Sequence, residues 1–234
     1  MNAKLLTTIT TASTITGILA TTAIANAATL IYSAASQPAR TNITNTILSI
    51  QKFDSSLGEL NSITVEFTGS LIGNAAFENE DATPQTITVD LSGLLQLSGP
   101  NNDPLINLAP QRVTPYNVPE SDDISDFGGT SGRIIEGLTA QQSDSRTLTN
   151  SSSLAPFIGT GTVDFSFSAL AKSKVEGSGN ISSRIRTFAA ANVTLRYDYT
   201  EPPRKIPESS MILGLGLIAG IGLFSQTSNV FNRF

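Results

Sequence analysis

The 234-residue sequence contains no cysteine, no histidine and no tryptophan. Without cysteine there are neither disulfides nor thiolate metal sites, so a folded state has to be held by burial alone. Without histidine the commonest general base near neutral pH and the commonest metal ligand are gone, which excludes Ser-His-Asp and Cys-His catalysis. Charge is scarce as well: Asp, Glu, Lys and Arg make up 14% of the chain, with a net charge of −5. Nucleic-acid binding needs clustered Lys and Arg to release counterions, and no basic patch is visible, so no nucleic-acid partner is expected.

What is present fits an extracellular β-protein. Apolar residues reach 39%, enough for a core, and Ser, Thr, Asn and Gly fill much of the rest. No stretch between Arg40 and Tyr199 carries the 3.6-residue rhythm of an amphipathic helix. Period-two alternation is clearest in Ile63 to Thr68, bounded by Gly58 and Gly69, and recurs in Thr86 to Leu91, Val163 to Phe167 and Val193 to Tyr199. Thr29 to Ser33, Thr46 to Ile50 and Arg184 to Ala190 are weaker candidates. Strands with one buried and one wet face favour antiparallel pairing. The expected fold is therefore all-β, an antiparallel β-sandwich of jelly-roll or Greek-key type. From Ser98 to Ser153 the pattern fades among Pro100, Pro104, Pro110, Pro115 and Pro119, and a long excursion across the sandwich is expected there, where a binding site could sit.

The two ends read as sorting signals. Lys4 supplies a positive start, Leu5 to Ala23 is uncharged, and Ala25-Asn26-Ala27 presents the small residues that a signal peptidase admits. Cleavage is expected before Ala28, giving a signal peptide over residues 1–27. The alternative, a membrane helix, is opposed by the many threonines in the stretch. At the other end, residues 201–210 are polar and Pro-rich and read as a linker. Met211 to Phe224 then runs without a charge. This run is shorter than the about 20 residues a spanning helix needs, and extension to Val230 reaches that length. A C-terminal hydrophobic helix in the membrane is expected over residues 211–230, with 231–234 as a tail. Gly216 and Gly220 add a spacing suited to close helix packing.

Ile206-Pro207-Glu208-Ser209-Ser210 followed by this Gly- and Leu-rich run resembles a PEP-CTERM sorting signal, the substrate of an exosortase. Ser209 stands at the usual second Pro, and Arg233 is the lone basic residue after the run. The resemblance implies transient inner-membrane anchoring, processing near Pro207-Glu208, and delivery to the cell surface or extracellular matrix. A permanent single-span anchor is the alternative.

The body, residues 28–200, carries a second resemblance. Phe53-Asp54-Ser55-Ser56-Leu57-Gly58-Glu59-Leu60, Glu78-Asn79, Gly159-Thr160-Gly161-Thr162-Val163, Gly177-Ser178-Gly179-Asn180 and Tyr197-Asp198-Tyr199 follow one another as in the choice-of-anchor E domain, which this segment resembles. The resemblance implies a secreted β-domain that different proteins join to different surface anchors, and it implies no known activity. In physical terms these motifs are structural. Asp54 to Leu57 can form a turn capped by the Asp carboxylate, with Phe53, Leu57 and Leu60 burying apolar area at the entry to the next strand.

Chemistry-bearing residues are few. Glu120 to Gly129 is the densest acidic segment, and Asp122, Asp123 and Asp126 are spaced as hard cations such as calcium use them, although the segment lacks the EF-hand glycine and terminal Glu. Acidic loops are more often simply solvated. Glu78, Glu80 and Asp81 form a second acidic group. Glycoside hydrolysis needs two carboxylates at a set separation, and nothing in the sequence pairs them. Tyr32, Tyr116, Tyr197 and Tyr199 are the amphipathic rings available for a sugar platform. The expectation is a non-enzymatic surface or matrix protein with no catalytic residue and no cofactor, in contact with signal peptidase, exosortase, the membrane and exopolysaccharide. A carbohydrate- or calcium-binding module is the alternative, and a carboxylate-dependent hydrolase ranks below it.

Overall fold

Alternating apolar and polar side chains make a backbone wettable on one face only, and two such sheets bury their apolar faces against each other. The computed structural model describes Ala20–Thr21 and residues 27–202. In chain order the strands are β1 (Ala20–Thr21), β2 (Ala27–Ala35), β3 (Ala39–Arg40), β4 (Ile43–Gln51), β5 (Glu59–Asn79), β6 (Gln85–Ser98), β7 (Pro104–Leu108), β8 (Gln111–Val118), β9 (Gly132–Leu148), β10 (Thr162–Ala171), β11 (Lys174–Gly177) and β12 (Ile181–Thr200). A short helix, α1 (Ser151–Leu154), precedes β10. The first sheet runs β1-β2-β12-β5-β9, with β3 also on β12. The second runs β11-β6-β10-β4, with β7 and β8 also on β6. The strand pairs within both sheets are antiparallel.

The two sheets share one core. Phe67 of β5 meets Phe167 of β10 edge-on at 6.1 Å, and both are fully buried. Phe53, Phe77, Phe157, Phe165 and Tyr197 are buried with them. Tyr197, on β12, donates its hydroxyl to the carbonyl of Gln51 on β4 at 2.8 Å, a hydrogen bond from one sheet to the other. The all-β expectation and its antiparallel pairing therefore hold, and the two packed layers form a β-sandwich.

Several boundaries are corrected. β5 does not end at Gly69 but continues through Gly73 to Asn79. Both glycines face the core, where a Cβ on Gly69 would lie 2.9 Å from Leu95 and one on Gly73 would lie 2.6 Å from Leu91. They are holes into which leucines of the facing sheet project, not turns. Likewise 184–190 and 193–199 are one strand, β12.

The expected excursion over 98–153 is largely sheet. Pro104 and Pro115 sit in β7 and β8, which lie along one side of β6, and proline is tolerated on strand positions that need no donor. β9 pairs with β5 from Ile63↔Leu148 to Glu78↔Gly132. Only Leu138 and Ala140 of β9 are buried, so this edge strand has no alternation to display. A bulge between Gly73 and Ala75 is accommodated by Gly137, whose φ is +67° and whose amide donates to Asn74 Oδ1.

The Asp54 turn forms as expected: Asp54 Oδ1 accepts the Ser56 amide at 2.9 Å and Gly58 has φ +148°. Phe53 is buried and Leu60 packs against the core, whereas Leu57 is 39% exposed, because the single 3-10 turn Ser55–Leu57 points it away from the sandwich. Among the described residues no helix is long and apolar enough to cross a membrane.

The inter-sheet phenol generates a prediction. Burial, with a smaller contribution from Tyr32, pushes the Tyr197 phenol well above its ordinary value. A raised folded value means that its contribution is complete below the unfolded value of about 10 and is lost as pH rises past it. Chemical denaturation should show Tyr197→Phe destabilised by about 0.5–1.5 kcal/mol at neutral pH, with a smaller loss than the native chain above about pH 10.

Candidate functional site

The chemistry-bearing residues converge at the end of the sandwich where β5 stops. Core-facing side chains of β5 are the odd-numbered ones, from Ile63 to Asn79, so Glu78 points to the outer face of its sheet. Both Glu78 and Asn79 are buried nonetheless, at 1% and 0% exposure. The covering chain is 119–131, which folds back over this end.

Asn79 is the hub. Its Nδ2 donates to the carbonyls of Thr83 at 2.9 Å and Pro119 at 2.6 Å, and its Oδ1 accepts the Asp81 amide at 3.0 Å and Gln85 Nε2. Its own amide donates to the Ser131 carbonyl at 2.9 Å. One buried amide thus uses both donors and its acceptor to join three chain segments. Asp81 adds a fourth: its Oδ2 accepts the Asn180 amide at 2.9 Å, in the turn between β11 and β12.

The two acidic groups found in the sequence are therefore brought together, through donors instead of a shared ion. Glu80 accepts the hydroxyls of Ser182 and Ser125 and the side-chain amide of Asn180. The Ser182 hydroxyl first, then that of Ser125, holds the Glu80 carboxyl below its ordinary value. Asp122 accepts the amides of Ile124 at 3.1 Å and Thr130 at 3.2 Å, and the Ile124 amide is the main cause of its lowered pKa. Asp126 Oδ1 accepts the Gly128 amide at 2.7 Å. Asp123 is exposed, with φ +65°, and its amide donates to Ser121 Oγ at 3.2 Å. Asp122, Asp123 and Asp126 thus shape the turn. Among the described residues no three or more acidic side chains are grouped to hold a metal ion.

Two cation-π contacts close the structure from outside: Arg184 lies 4.6 Å from the centre of the Phe127 ring and Arg133 5.2 Å from that of Tyr116. Beside the hub is an open groove of about 630 Å³ lined by Pro84, Gln85, Thr86, Asn117, Pro119 and Ser178. Its polar side chains are uncharged, and Thr86 Oγ1 donates to Asn117 Oδ1 at 3.0 Å.

The tyrosines form no exposed sugar platform. Tyr197 and Tyr199 are buried, and Tyr32 and Tyr116 pack partly against the core. Of the expected signal-cleavage residues, Ala25 lies outside the described residues, whereas Ala27 and Ala28 open β2 and pair with Thr200 and Tyr199. Ile206, Pro207, Glu208, Ser209, Ser210 and the segment 211–230 lie outside them as well. Sequence inspection did not single out Ser131, Gln85 or Ser182, since a hydroxyl or amide carries no periodic signal. The Glu78-Asn79 and Gly-x-Gly-Asn pairs were the visible traces of the hub.

No protein-family model matches the chain, and no curated protein does. Among solved structures, the VP2 subviral particle of infectious bursal disease virus is 14% identical with a TM-score of 0.19, covering 95% of this chain and 54% of that one. A T=1 particle derived from the same virus is 15% identical with a TM-score of 0.14, covering 95% and 53%. The chain spans about half the length of these proteins, and similarity at this level assigns it to no family.

The carboxylate turns give a prediction. Depressed folded values mean stability that is present above the unfolded carboxylate range of about 4 and lost as pH falls through the folded values. Side-chain carboxyl NMR titration should find Glu80 below the ordinary Glu value, moving up in Ser182→Ala, with Asp122 unmoved. Amides of 119–131 should lose protection first on acidification.

Proposed function

We propose that this chain is an exported, surface- or matrix-associated structural protein, in which a β-sandwich is carried to the envelope by its two terminal signals and processed by an exosortase. The observation that carries this reading is the division of labour along the chain. The packed sandwich occupies Ala27 to Thr200, β2 opens at the expected signal-peptidase site, and the Pro-rich linker follows β12. Apart from Ala20–Thr21, which pair with Thr29 and Ala28 of β2, and Ala27, which opens β2, the two expected signals lie outside the described residues.

A structural role accords with the state of the polar residues. Around the hub the carboxylates of Glu80, Asp81, Asp122 and Asp126 serve as acceptors for neighbouring amides and hydroxyls, and the core is sealed by aromatic packing. The ladder of motifs shared with the choice-of-anchor E domain supports the same class, since Asp54, Glu78-Asn79 and Asn180 each hold a turn. The chain passes from one sheet to the other between β3 and β4, β4 and β5, β5 and β6, β8 and β9, β9 and β10, and β11 and β12, which favours a jelly-roll connection. The neutral groove beside Gln85 and Asn117 is the surface we assign to exopolysaccharide contact.

Mass spectrometry of the mature surface material tests the proposal. Peptides of the sandwich should be recovered with Ala28 as the new N-terminus and without residues beyond the processing region near Pro207-Glu208. Recovery of an intact peptide spanning Glu208 to Phe234 in that material would contradict exosortase processing.

A further inference from the structure

We propose that the outer edge of β2 is a docking surface for a second copy of this chain. The two β2 strands would pair antiparallel about a two-fold axis, so that the first sheets of two protomers become one. Apart from the two residues of β1, which pair with Thr29 and Ala28, β2 ends its sheet. Among the described residues no strand covers the same edge from Leu30 to Ala35. β1 shows that this edge takes an antiparallel strand, and it covers little of it. Residues 20–21 belong to the expected signal peptide, so cleavage before Ala28 bares the whole edge, a step that rests on the proposed export of the chain.

An unpaired strand edge is a template for another chain, and folded proteins blunt it with charge, proline or a bulge. The other outer strands of the described sandwich carry such guards. β9 has Arg133, Glu136, Asp144, Arg146 and the bulge at Gly137. β8 has Arg112 and Pro115, β7 opens on Pro104, and β11 holds Lys174 and Glu176. β4 is uncharged, but its pairing with β10 shifts register between Phe167 and Ala169, and Asn45 sits at φ +59°. β2 has none of these. Its nine residues include no charge and no proline, and its register with β12 is unbroken from Ala27↔Thr200 to Ala35↔Asn192.

The backbone of β2 is oriented for this pairing. The Ser36 amide donates to the Ala191 carbonyl at 2.9 Å, which continues the β2–β12 register. Backbone groups alternate in direction along a strand, so even-numbered residues of β2 turn their amides to β12, and Thr29, Ile31, Ser33 and Ala35 turn theirs to the free edge. Even-numbered side chains face the core: Ala28, Leu30 and Ala34 are buried, and Tyr32 packs on Tyr197 with ring centres 6.2 Å apart. A two-fold axis perpendicular to the sheet keeps both core faces on one side and pairs residues of like parity. The register centred on Ile31 uses all nine residues. Thr29, Ile31 and Ser33 then exchange amide–carbonyl bonds across the axis, and on the core side Leu30 meets Tyr32 of the second copy. The far edge of the sheet, β9, is guarded, so the assembly closes at two.

Sedimentation of the chain from Ala28 to Pro207 tests the proposal, since the described core lies wholly between Ala28 and Tyr199. Made directly, this chain gives a result that does not depend on whether cells cut before Ala28, which mass spectrometry of the surface material reads separately. It should be a dimer. Ile31→Glu faces Arg196 within the protomer but sets two like charges together at the axis, and should be monomeric with an unchanged far-UV spectrum. Ser33→Pro removes a donor that β12 does not use and should act in the same way. Val113→Lys on β8, where the residue is 53% exposed, should leave the dimer intact. The sequence has no cysteine, so a single one reports on the interface alone. Ile31→Cys stands opposite its equivalent, with Cα atoms about 5.5 Å apart, and should link two chains by a disulfide under mild oxidation. Ser33→Cys, about 13 Å from its equivalent, should not. A chain that stays monomeric up to about 1 mM would overturn the proposal. A dimer that survives Ile31→Glu, or that links as readily through Ser33→Cys as through Ile31→Cys, would overturn it equally.

Discussion

The sandwich depends on the pairing of β5 with β12, from Ile181↔Asn79 at one end to Thr200↔Glu59 at the other. Two strands of 21 and 20 residues, far apart in sequence, must find one register. A slip of one residue would turn Phe67 and Tyr197 outward and the Thr and Glu positions inward, so burial itself selects the register. β2 then adds to the free side of β12 and β9 to that of β5. The second sheet closes on the face so formed through Phe167, Leu91 and Leu95, with Tyr197 bonded across to Gln51. In a chain without cysteine, no covalent link substitutes for this arrangement.

The same pairing delivers the polar hub. Because β5 keeps its alternation to its last residue, Asn79 arrives on the core side and Glu78 on the outer side, each beside the turn it serves. Asn79 satisfies carbonyls that would otherwise be stranded at the mouth of the sandwich. The acidic residues act here as building material. Their charge is spent on amides and hydroxyls of the covering segment, where Asp123 and Phe127 take positive φ, and of Asn180 and Ser182 at the start of β12. Glu78 departs from this pattern by leaving one oxygen without a protein donor.

Much of this was legible in the sequence where one face is wet and the other dry. β6, β10 and parts of β5 and β12 alternate clearly, β2 and β4 more weakly, and the Asp54 turn and the Gly-x-Gly-Asn turn fall where their residues suggest. Legibility fails for two physical reasons. Gly69 and Gly73 look like strand ends, yet they are openings for Leu95 and Leu91, which lie in another strand and cannot be paired with them from local pattern. β9 is wet along most of its length, so its membership of the sheet is written in backbone hydrogen bonds to β5 and not in its side chains. For the site, the acidic residues were visible but their neutral partners Ser131 and Ser182 were not, and these partners determine what the acids do; nor was Gln85, which bonds Asn79.

Native-state hydrogen exchange tests the central role of the β5–β12 pairing most directly. Amides of β12 and β5 facing each other around Phe67, Leu71, Val193 and Leu195 should exchange slowest and only through global unfolding, with denaturant sensitivity equal to the global value. Amides in β9 and in 119–131 should exchange through smaller openings. Subglobal exchange of the β5–β12 amides while the second sheet stays protected would contradict the account.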